Sequence, residues 1–238
     1  MGGTAIIFVH GHMGSVRQFT PLISALGADV SKYNIPLPGH DGTVADFVKS
    51  DRHVWQRYVT SRVAELREQF DELVLVGHSM GGLLLINAAI ACPDKIKGVI
   101  AVSLPLYIKL TTLGIRIRLS CIGKAVRGED ERVTAAREMN GVSGICLANS
   151  YKLLPNIQGL LRVMKETRKE LGKLTVPLTI MNSANDEIVS LRTLSFARKS
   201  LPGVKVVTLK QASHFWFPKE ELLMIQDEID HACLQIKL

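Results

Sequence analysis

Short, nearly uninterrupted runs of apolar residues recur along the 238-residue chain. Such runs are typical of strands buried on both faces of a sheet. They predict strands at residues 4–9, 29–35, 72–76, 97–103, 176–182 and 204–209. Between the runs, apolar residues recur at a helical spacing. This spacing predicts helices at residues 15–27, 46–70, 83–92, 191–201 and 219–236. The alternation predicts an α/β fold with a mainly parallel sheet flanked by helices.

Residues 104–175 interrupt this alternation with helical patterns and scattered glycines. We therefore expect a helical cap inserted after the strand that ends near Ser103, and a core formed by residues 1–103 and 176–238. Residues 104–173 hold 13 of the 29 basic residues but 6 of the 22 acidic ones, which accounts for the whole net charge of +7. This excess is either an ordinary solvated surface or an attraction for anionic ligands or an anionic membrane face. No nucleic-acid-binding motif accompanies it, so nucleic acid is not the expected partner.

The remaining composition is that of a soluble globular protein. No apolar run approaches the roughly 18 to 20 residues of a transmembrane segment, and the start of the chain lacks the features of a signal peptide. Cys92, Cys121, Cys146 and Cys233 are far apart and form no Cys-x-x-Cys pair. We expect reduced thiols, no metal site and a cytoplasmic location.

The strongest chemical signal follows the third predicted strand. Gly77, Ser79 and Gly81 form a Gly-x-Ser-x-Gly pattern between a strand signal and a helix signal. Because glycine has no Cβ, strand and helix can pack closely around a strained turn that presents the serine hydroxyl. The turn also places the Met80 amide at the first turn of a helix, where N–H groups lack partners. The alternative is a tight turn that contains an incidental serine.

A serine nucleophile needs a base and an acid that orients the base. Asp186 follows the strand at residues 176–182, and His214 follows the last strand, so the residues occur in the order Ser79, Asp186, His214. Only His214, among seven histidines, follows the last strand and comes after the acid. Glu187 is the second choice for the acid, and a helix-capping or turn role is the alternative for Asp186.

Two amides would complete the site as an oxyanion hole, those of Met80 and of His12 in the glycine-bearing loop after the first strand. With these features the chain resembles the α/β-hydrolase family, and within it small capped bacterial carboxylesterases and monoacylglycerol lipases. The motifs that carry the resemblance are Val9-His10-Gly11-His12-Met13-Gly14, Leu37-Pro38-Gly39-His40, Gly77-His78-Ser79-Met80-Gly81-Gly82, Asp186 with Val189, and Ser213-His214.

The resemblance implies hydrolysis of a small-molecule carboxylic ester, short- to medium-chain or monoacylglycerol-like, through an acyl-enzyme on Ser79 without a metal or organic cofactor. The chain begins almost directly in the strand before the glycine-bearing loop. We therefore expect the two leading antiparallel strands of the full fold to be missing, and a sheet of about six strands. Two residues depart from the family pattern, since Ser183 and Ser213 stand where glycine is usual.

The cap is expected to roof an apolar acyl pocket, with ordinary core packing as the alternative for each lining residue. The candidates are Leu104, Leu106, Ile108, Leu110, Phe215, Trp216 and Phe217. Other functions remain open: a thioesterase, acyltransferase, lactonase or C–C hydrolase with the same triad, a non-catalytic ligand-binding homologue, or an interfacial lipase that docks on anionic lipid. A serine at position 79 argues against dehalogenases and epoxide hydrolases, which use aspartate.

Overall fold

The structure, a computed structural model, describes residues 2–27, 30–109, 111–120 and 129–234. Leu110 and Cys121, both named above, lie outside the described residues. The strands are β1 (Thr4–Val9), β2 (Ser31–Ile35), β3 (Gly42–Thr43), β4 (Glu72–His78), β5 (Ile96–Val102), β6 (Val142–Ser143), β7 (Leu178–Ser183) and β8 (Lys205–Leu209). The helices are α1 (Thr20–Ala25), α2 (Val44–Phe47), α3 (Arg52–Gln69), α4 (Met80–Ala91), α5 (Thr112–Ser120), α6 (Glu131–Glu138), α7 (Leu154–Glu170), α8 (Arg192–Ser200) and α9 (Lys219–Leu234).

The main sheet confirms the predicted α/β architecture. It has six strands in the order β2-β1-β4-β5-β7-β8, and all neighbouring pairs are parallel. The chain moves outward from β1 to β2 and then returns to β4 on the other side of β1. This reversal opens a crevice at the carboxyl ends of β1 and β4, where ligands bind in open α/β sheets.

Helices cover both faces of the sheet, which explains why its strands are apolar throughout. Ile7 and Val9 of β1 lie in a cluster with residues of α3, α4, α7 and α8. Ile6 and Phe8, which alternate with them, lie in a second cluster with residues of α1 and α9. The period of two along the strand thus divides one apolar run between two cores.

The segment between β5 and β7 contains two different parts. Helix α7 packs on α3 and α4, and its Val163 and Met164 belong to the same cluster as the sheet. Helices α5 and α6 instead form a small cluster with Phe215. The division of the chain at residues 103 and 175 stays a prediction. No helix within the described ranges is long and apolar enough to cross a lipid bilayer.

Three predicted helices differ from the observed ones. The stretch at residues 46–70 contains two helices, because Thr43 and Asp46 form a capping box that begins α2 and the Asp51 carboxylate accepts the amides that begin α3. The helix predicted from residue 83 already begins at Met80. Residues 15–27 form a 3₁₀ turn, Val16–Phe19, followed by α1.

Candidate active site

Ser79 is the single residue between β4 and α4. Its backbone has φ 52° and ψ −122°, a conformation that residues other than glycine rarely adopt. Two backbone hydrogen bonds hold it there: the Ser79 amide donates to the Val102 carbonyl (2.9 Å), and the Gly82 amide donates to the Ser79 carbonyl (3.0 Å). The turn therefore fixes the direction of the serine side chain at the crevice.

The glycines around Ser79 are required by contact distances. A Cβ on Gly81 would lie 2.0 Å from the Val9 carbonyl oxygen, and a Cβ on Gly77 would lie 2.4 Å from the Gly82 nitrogen. Both distances are far shorter than van der Waals contact. Only glycine at these two positions lets α4 start against the carboxyl end of β1.

A buried hydrogen-bonded chain joins the three residues predicted as nucleophile, base and acid. His214 Nε2 lies 3.1 Å from Ser79 Oγ, and His214 Nδ1 lies 2.9 Å from Asp186 Oδ2. Because a carboxylate can only accept, Nδ1 carries the proton, and Nε2 is left to accept from the hydroxyl. Ser79, Asp186 and His214 are 7%, 0% and 2% exposed.

Asp186 is held as a carboxylate despite its burial. Its Oδ1 accepts the amides of Ile188 (2.8 Å) and Val189 (2.7 Å). Burial alone would raise the Asp186 pKa, but the charge of His214 and the hydrogen bonds to the carboxylate keep this pKa below its ordinary value. The side chain is therefore ionised at neutral pH and orients the His214 tautomer.

The histidine loop (residues 210–216) is fastened by two carboxylates that sequence reasoning did not assign to it. Glu221 of α9 accepts the amides of Lys210 (2.6 Å), Gln211 (2.9 Å) and Ala212 (2.7 Å). Glu187 Oε2 accepts the amide of His214 itself (3.0 Å). No local pattern marks Glu221, whereas the sequence indicates Glu187 only as a second choice for the acid. The imidazole bonds to Asp186, so Glu187 has another task.

The two serines that depart from the family pattern also hold this region together. The Ser183 hydroxyl donates to the Ala212 carbonyl and accepts the Asn185 amide (3.0 Å). The Ser213 hydroxyl accepts the Trp216 amide (3.1 Å). One serine thus connects the acid loop (residues 183–189) to the histidine loop, and the other closes a turn within the histidine loop.

The first loop (residues 10–15) passes directly over the serine. A Cβ on Gly11 would lie 3.0 Å from Ser79 Cβ. In the described part of the chain, the backbone amides of His12 and Met80 donate no hydrogen bond to a protein acceptor. Both are therefore available donors near Ser79.

Residues at the end of α6 and just after it bond to this loop and to the 3₁₀ turn that follows the loop. The Gly141 amide donates to the Met13 carbonyl (2.8 Å), and Gly14 forms a β-bridge with Asn140. Arg17 donates to the carbonyls of Glu138 and Asn140, both at 3.0 Å. The strand pair β3–β6 joins the segment just after these residues to the loop that follows β2.

Four buried histidines near the crevice are neutral at pH 7. Burial is the largest cause that lowers each pKa: to about 4 for His10, about 3 for His12, about 2 for His40 and about 3 for His78. The His78 imidazole lies within hydrogen-bonding distance of the His214 carbonyl (2.8 Å). These rings act as polar packing groups rather than as charges.

The predicted pocket residues have different environments. Leu104 and Leu106 are fully buried in the main core, whereas Ile108 is 45% exposed. Phe215 is buried under α5 and α6, with the Arg118 guanidinium 4.9 Å from its ring centroid. Trp216 lines a cavity of about 490 Å³ beside the acid and histidine loops. Phe217 packs at the edge of the second core.

The cavity is bordered by polar residues as well as by Trp216. Its other lining residues are Leu113, Asp130, Glu131, Arg132, Asn185, Gln211 and Ser213. No group of three or more His, Cys, Asp or Glu side chains suited to a metal ion occurs among the residues that the structure describes.

Comparison with known proteins shows the family of the chain. Residues 6–222 match the alpha/beta hydrolase family. The thermostable monoacylglycerol lipase of Bacillus sp. (strain H-257) is 26% identical, over 79% of this chain and 72% of its own length. The monoglyceride lipase of Homo sapiens is 28% identical, over 77% of this chain and 66% of its own length. The crystal structure of Paleococcus ferrophilus monoacylglycerol lipase aligns with a TM-score of 0.71 at 21% identity, covering 97% of this chain and 96% of that chain. The chain belongs to the alpha/beta hydrolase family.

Proposed function

We propose that this protein is a carboxylesterase-type serine hydrolase that cleaves carboxylic esters through an acyl-enzyme on Ser79. The observation that carries the proposal is the buried chain from Ser79 Oγ through His214 to Asp186, with contacts of 3.1 Å and 2.9 Å. The substrate class, a short- to medium-chain acyl ester or a monoacylglycerol, is supported by relatives that are monoacylglycerol lipases.

In this mechanism His214 Nε2 takes the proton of Ser79 Oγ as the oxygen attacks the ester carbonyl. Asp186 holds the Nδ1–H tautomer and stabilises the imidazolium that forms. Collapse of the tetrahedral intermediate breaks the ester C–O bond, and His214 returns the proton to the leaving alcohol. Water, deprotonated by His214, then attacks the acyl-enzyme and releases the acid and Ser79.

The amides of His12 and Met80 are the proposed oxyanion hole. Gly11 lies against the Ser79 side chain, and Met80 opens α4 with its amide unused by the helix. Two N–H donors on either side of the serine suit a negative charge that develops on the carbonyl oxygen. The role belongs to the backbone, so the neutral His12 imidazole takes no part in it.

We further propose that the cap segment (residues 104–175) provides the substrate pocket, with α5 and α6 as its roof. Phe215 connects that roof to His214, since the two rings lie 4.7 Å apart. Leu104, Leu106 and Ile108 stay predicted pocket residues, as does Trp216. The cytoplasmic location also stays a prediction.

The decisive experiment compares wild type with Ser79→Ala. Wild type should react with a fluorophosphonate and hydrolyse members of a panel of p-nitrophenyl acyl esters, monoacylglycerols and cinnamoyl-type aryl esters. Ser79→Ala should lose both properties, because no other group holds the nucleophilic position. Ser103→Ala, at a fully buried serine just after β5, is the matched control and should still be labelled. Labelling or turnover that survives in a folded Ser79→Ala protein would refute the mechanism.

Acyl transfer with the same triad is separated from hydrolysis by product analysis in the presence of competing alcohols. An acyltransferase would yield a new ester in preference to the free acid. A ligand-binding homologue without catalytic activity would bind esters but leave the fluorophosphonate unreacted.

An interfacial lipase is the second candidate, favoured by the outer face of α7. Leu154, Ile157 and Leu161 recur there at helical spacing and are 55%, 42% and 43% exposed. Basic Lys152 and Arg162 lie beside them in the chain. Activity on anionic lipid vesicles that falls with added salt, with little activity on soluble esters, would favour this candidate.

A further inference from the structure

Glu187 is a buried carboxylate beside the acid, and the proposed reaction does not use it. It is 3% exposed. Its Oε2 accepts the amide of His214 (3.0 Å), and its own carbonyl accepts the Thr111 hydroxyl (2.8 Å). Glu187 thus touches the backbone of the base on one side and the start of the roof helix α5 on the other.

The second carboxylate oxygen distinguishes Glu187 from a purely structural anchor. Oε1 is buried without a hydrogen-bond partner among the described residues. By contrast, both oxygens of Glu221 accept amides of the same loop. A buried carboxylate with an unused oxygen is costly, and a neutral amide oxygen would hold the His214 amide equally well. The charge of Glu187 therefore needs an explanation beyond the single hydrogen bond.

The charged groups around His214 suggest that explanation. Asp186 bonds its ring, and His78, whose ring centroid lies 4.9 Å away, is neutral because burial lowers its pKa to about 3. The Arg118 guanidinium of α5 lies over Phe215, and Arg132 of α6 interacts electrostatically with Glu187. Two carboxylates from the acid loop thus face the histidine against cations contributed by the roof.

We propose that Glu187 is a positioning residue whose hydrogen bond fixes the His214 backbone and whose negative charge, together with Asp186, favours the imidazolium that forms during attack by Ser79. The inference rests on the proposed serine-hydrolase function. It gives the unused oxygen a purpose, because the charge acts through space on the ring and needs no further bond.

The test is the pH dependence of kcat/KM for a p-nitrophenyl ester with wild type, Glu187→Gln and Glu187→Asp. Glutamine keeps an acceptor for the His214 amide but removes the charge. For Glu187→Gln, the acid limb of the profile, where kcat/KM falls as His214 becomes protonated, should move to lower pH by about 0.5 to 1 unit. The reason is that a less negative environment favours the neutral imidazole. The kcat of this variant should fall by roughly tenfold, the equivalent of one such unit, with KM unchanged. Aspartate keeps the charge, so its acid limb should stay at the wild-type position.

Glu221→Gln is the matched control, because Glu221 is a buried carboxylate of α9 that bonds amides of the same loop but makes no bond to His214. It should lower the melting temperature and leave the acid limb at the wild-type pH. A folded Glu187→Gln protein with the wild-type acid limb and kcat would overturn the proposal. If that variant does not fold, Glu187→Asp decides, since an acid limb displaced to lower pH despite the retained charge would overturn it.

These outcomes are distinguishable from failure of the proposed function. Wild type that neither reacts with a fluorophosphonate nor turns over any ester refutes the serine-hydrolase mechanism before a pH profile exists. Active wild type with unresponsive Glu187 variants refutes only the role of Glu187.

Discussion

The serine turn (residues 77–82) and the histidine loop (residues 210–216) meet where the His214 imidazole contacts the Ser79 hydroxyl and where the His78 imidazole contacts the His214 carbonyl, but they are held by opposite means. The turn depends on the absence of side chains: glycine lets α4 approach β1, and backbone bonds fix Ser79. The loop depends on the presence of side chains, namely the carboxylates of Glu187 and Glu221 and the hydroxyl of Ser183.

This difference separates what a short sequence encodes from what a fold encodes. The conformation of a turn that only glycine permits is determined by a few adjacent residues. The conformation of a loop held by groups from α9 and the acid loop is determined by residues that are distant in the chain. We therefore expect the turn to respond to added atoms and the loop to respond to removed ones.

The largest effect is expected for Gly81→Ala. The new Cβ would lie 2.0 Å from the Val9 carbonyl oxygen, so strand β1 or helix α4 must move. We expect a loss of at least about 4 kcal/mol in the free energy of unfolding, or no folded protein at all. Expression and circular dichroism show whether the variant folds, and urea unfolding measures the loss of free energy.

Gly159→Ala is the control for that substitution, because it lies in α7 with its nearest neighbour at an ordinary 3.6 Å. Alanine there should stabilise the protein by about 0.4 to 1 kcal/mol, since it lowers the entropy of the unfolded chain. Equal losses of stability at Gly81 and Gly159 would show that the short contact at Gly81 is not the cause of its effect.

Acid should destabilise the protein first through the four buried histidines near the crevice and only later through Asp186. Burial lowers the pKa values of His10, His12, His40 and His78 to about 4, 3, 2 and 3 from 6.5. The unfolded chain therefore binds more protons, and the stability present above pH 6.5 falls as the pH drops toward these values. The four groups together should remove about 4 kcal/mol between pH 6 and pH 5.

Asp186 affects stability only at lower pH. Its pKa lies below the ordinary 3.8, so its contribution to the free energy of unfolding is lost only as the pH falls below about 4. Urea unfolding at pH 7.5, 6 and 5 measures the loss, and His40→Gln should reduce the pH slope by about a quarter. A free energy of unfolding that stays constant from pH 7.5 to 5 would contradict the assignment of neutral histidines.

Apart from the controls, the smallest loss is expected for Glu221→Gln. The amide side chain cannot accept from all three loop amides, so one or more buried donors lose their partner. We expect a loss of about 1 to 3 kcal/mol, measured by urea unfolding, and faster proteolytic cleavage of residues 210–216. Glu220→Gln, exposed on the same helix, should change stability by less than about 0.5 kcal/mol.

The sheet and the order of the site residues were predictable because each has a local signature. Apolar runs marked the strands, Gly77 and Gly81 marked the turn, and Asp186 and His214 each followed a strand. The start of α4 was predicted three residues late, because the glycine pair disfavours a helix that packing against β1 imposes.

Other parts of the site depend on partners that no local pattern reveals. Glu221 is one of several acidic residues on α9, and nothing in its neighbourhood predicts contact with the histidine loop. Strands β3 and β6 are two residues each and become visible only once they pair. The division of residues 104–175 between the small cluster of α5 and α6 and the α7 layer likewise depends on which surface each helix packs against.

We expect the contacts between residues 13–17 and residues 138–141 to form late during folding. Strands β1, β4 and β5 come from the first 102 residues and can pair as soon as these residues are available. Arg17, however, meets carbonyls 121 and 123 residues further along the chain, and such distant contacts form slowly. We therefore expect the His12 amide to reach its final direction only after α6 has docked. In a refolding experiment, secondary structure should return first, and reactivity of Ser79 should follow as a later phase.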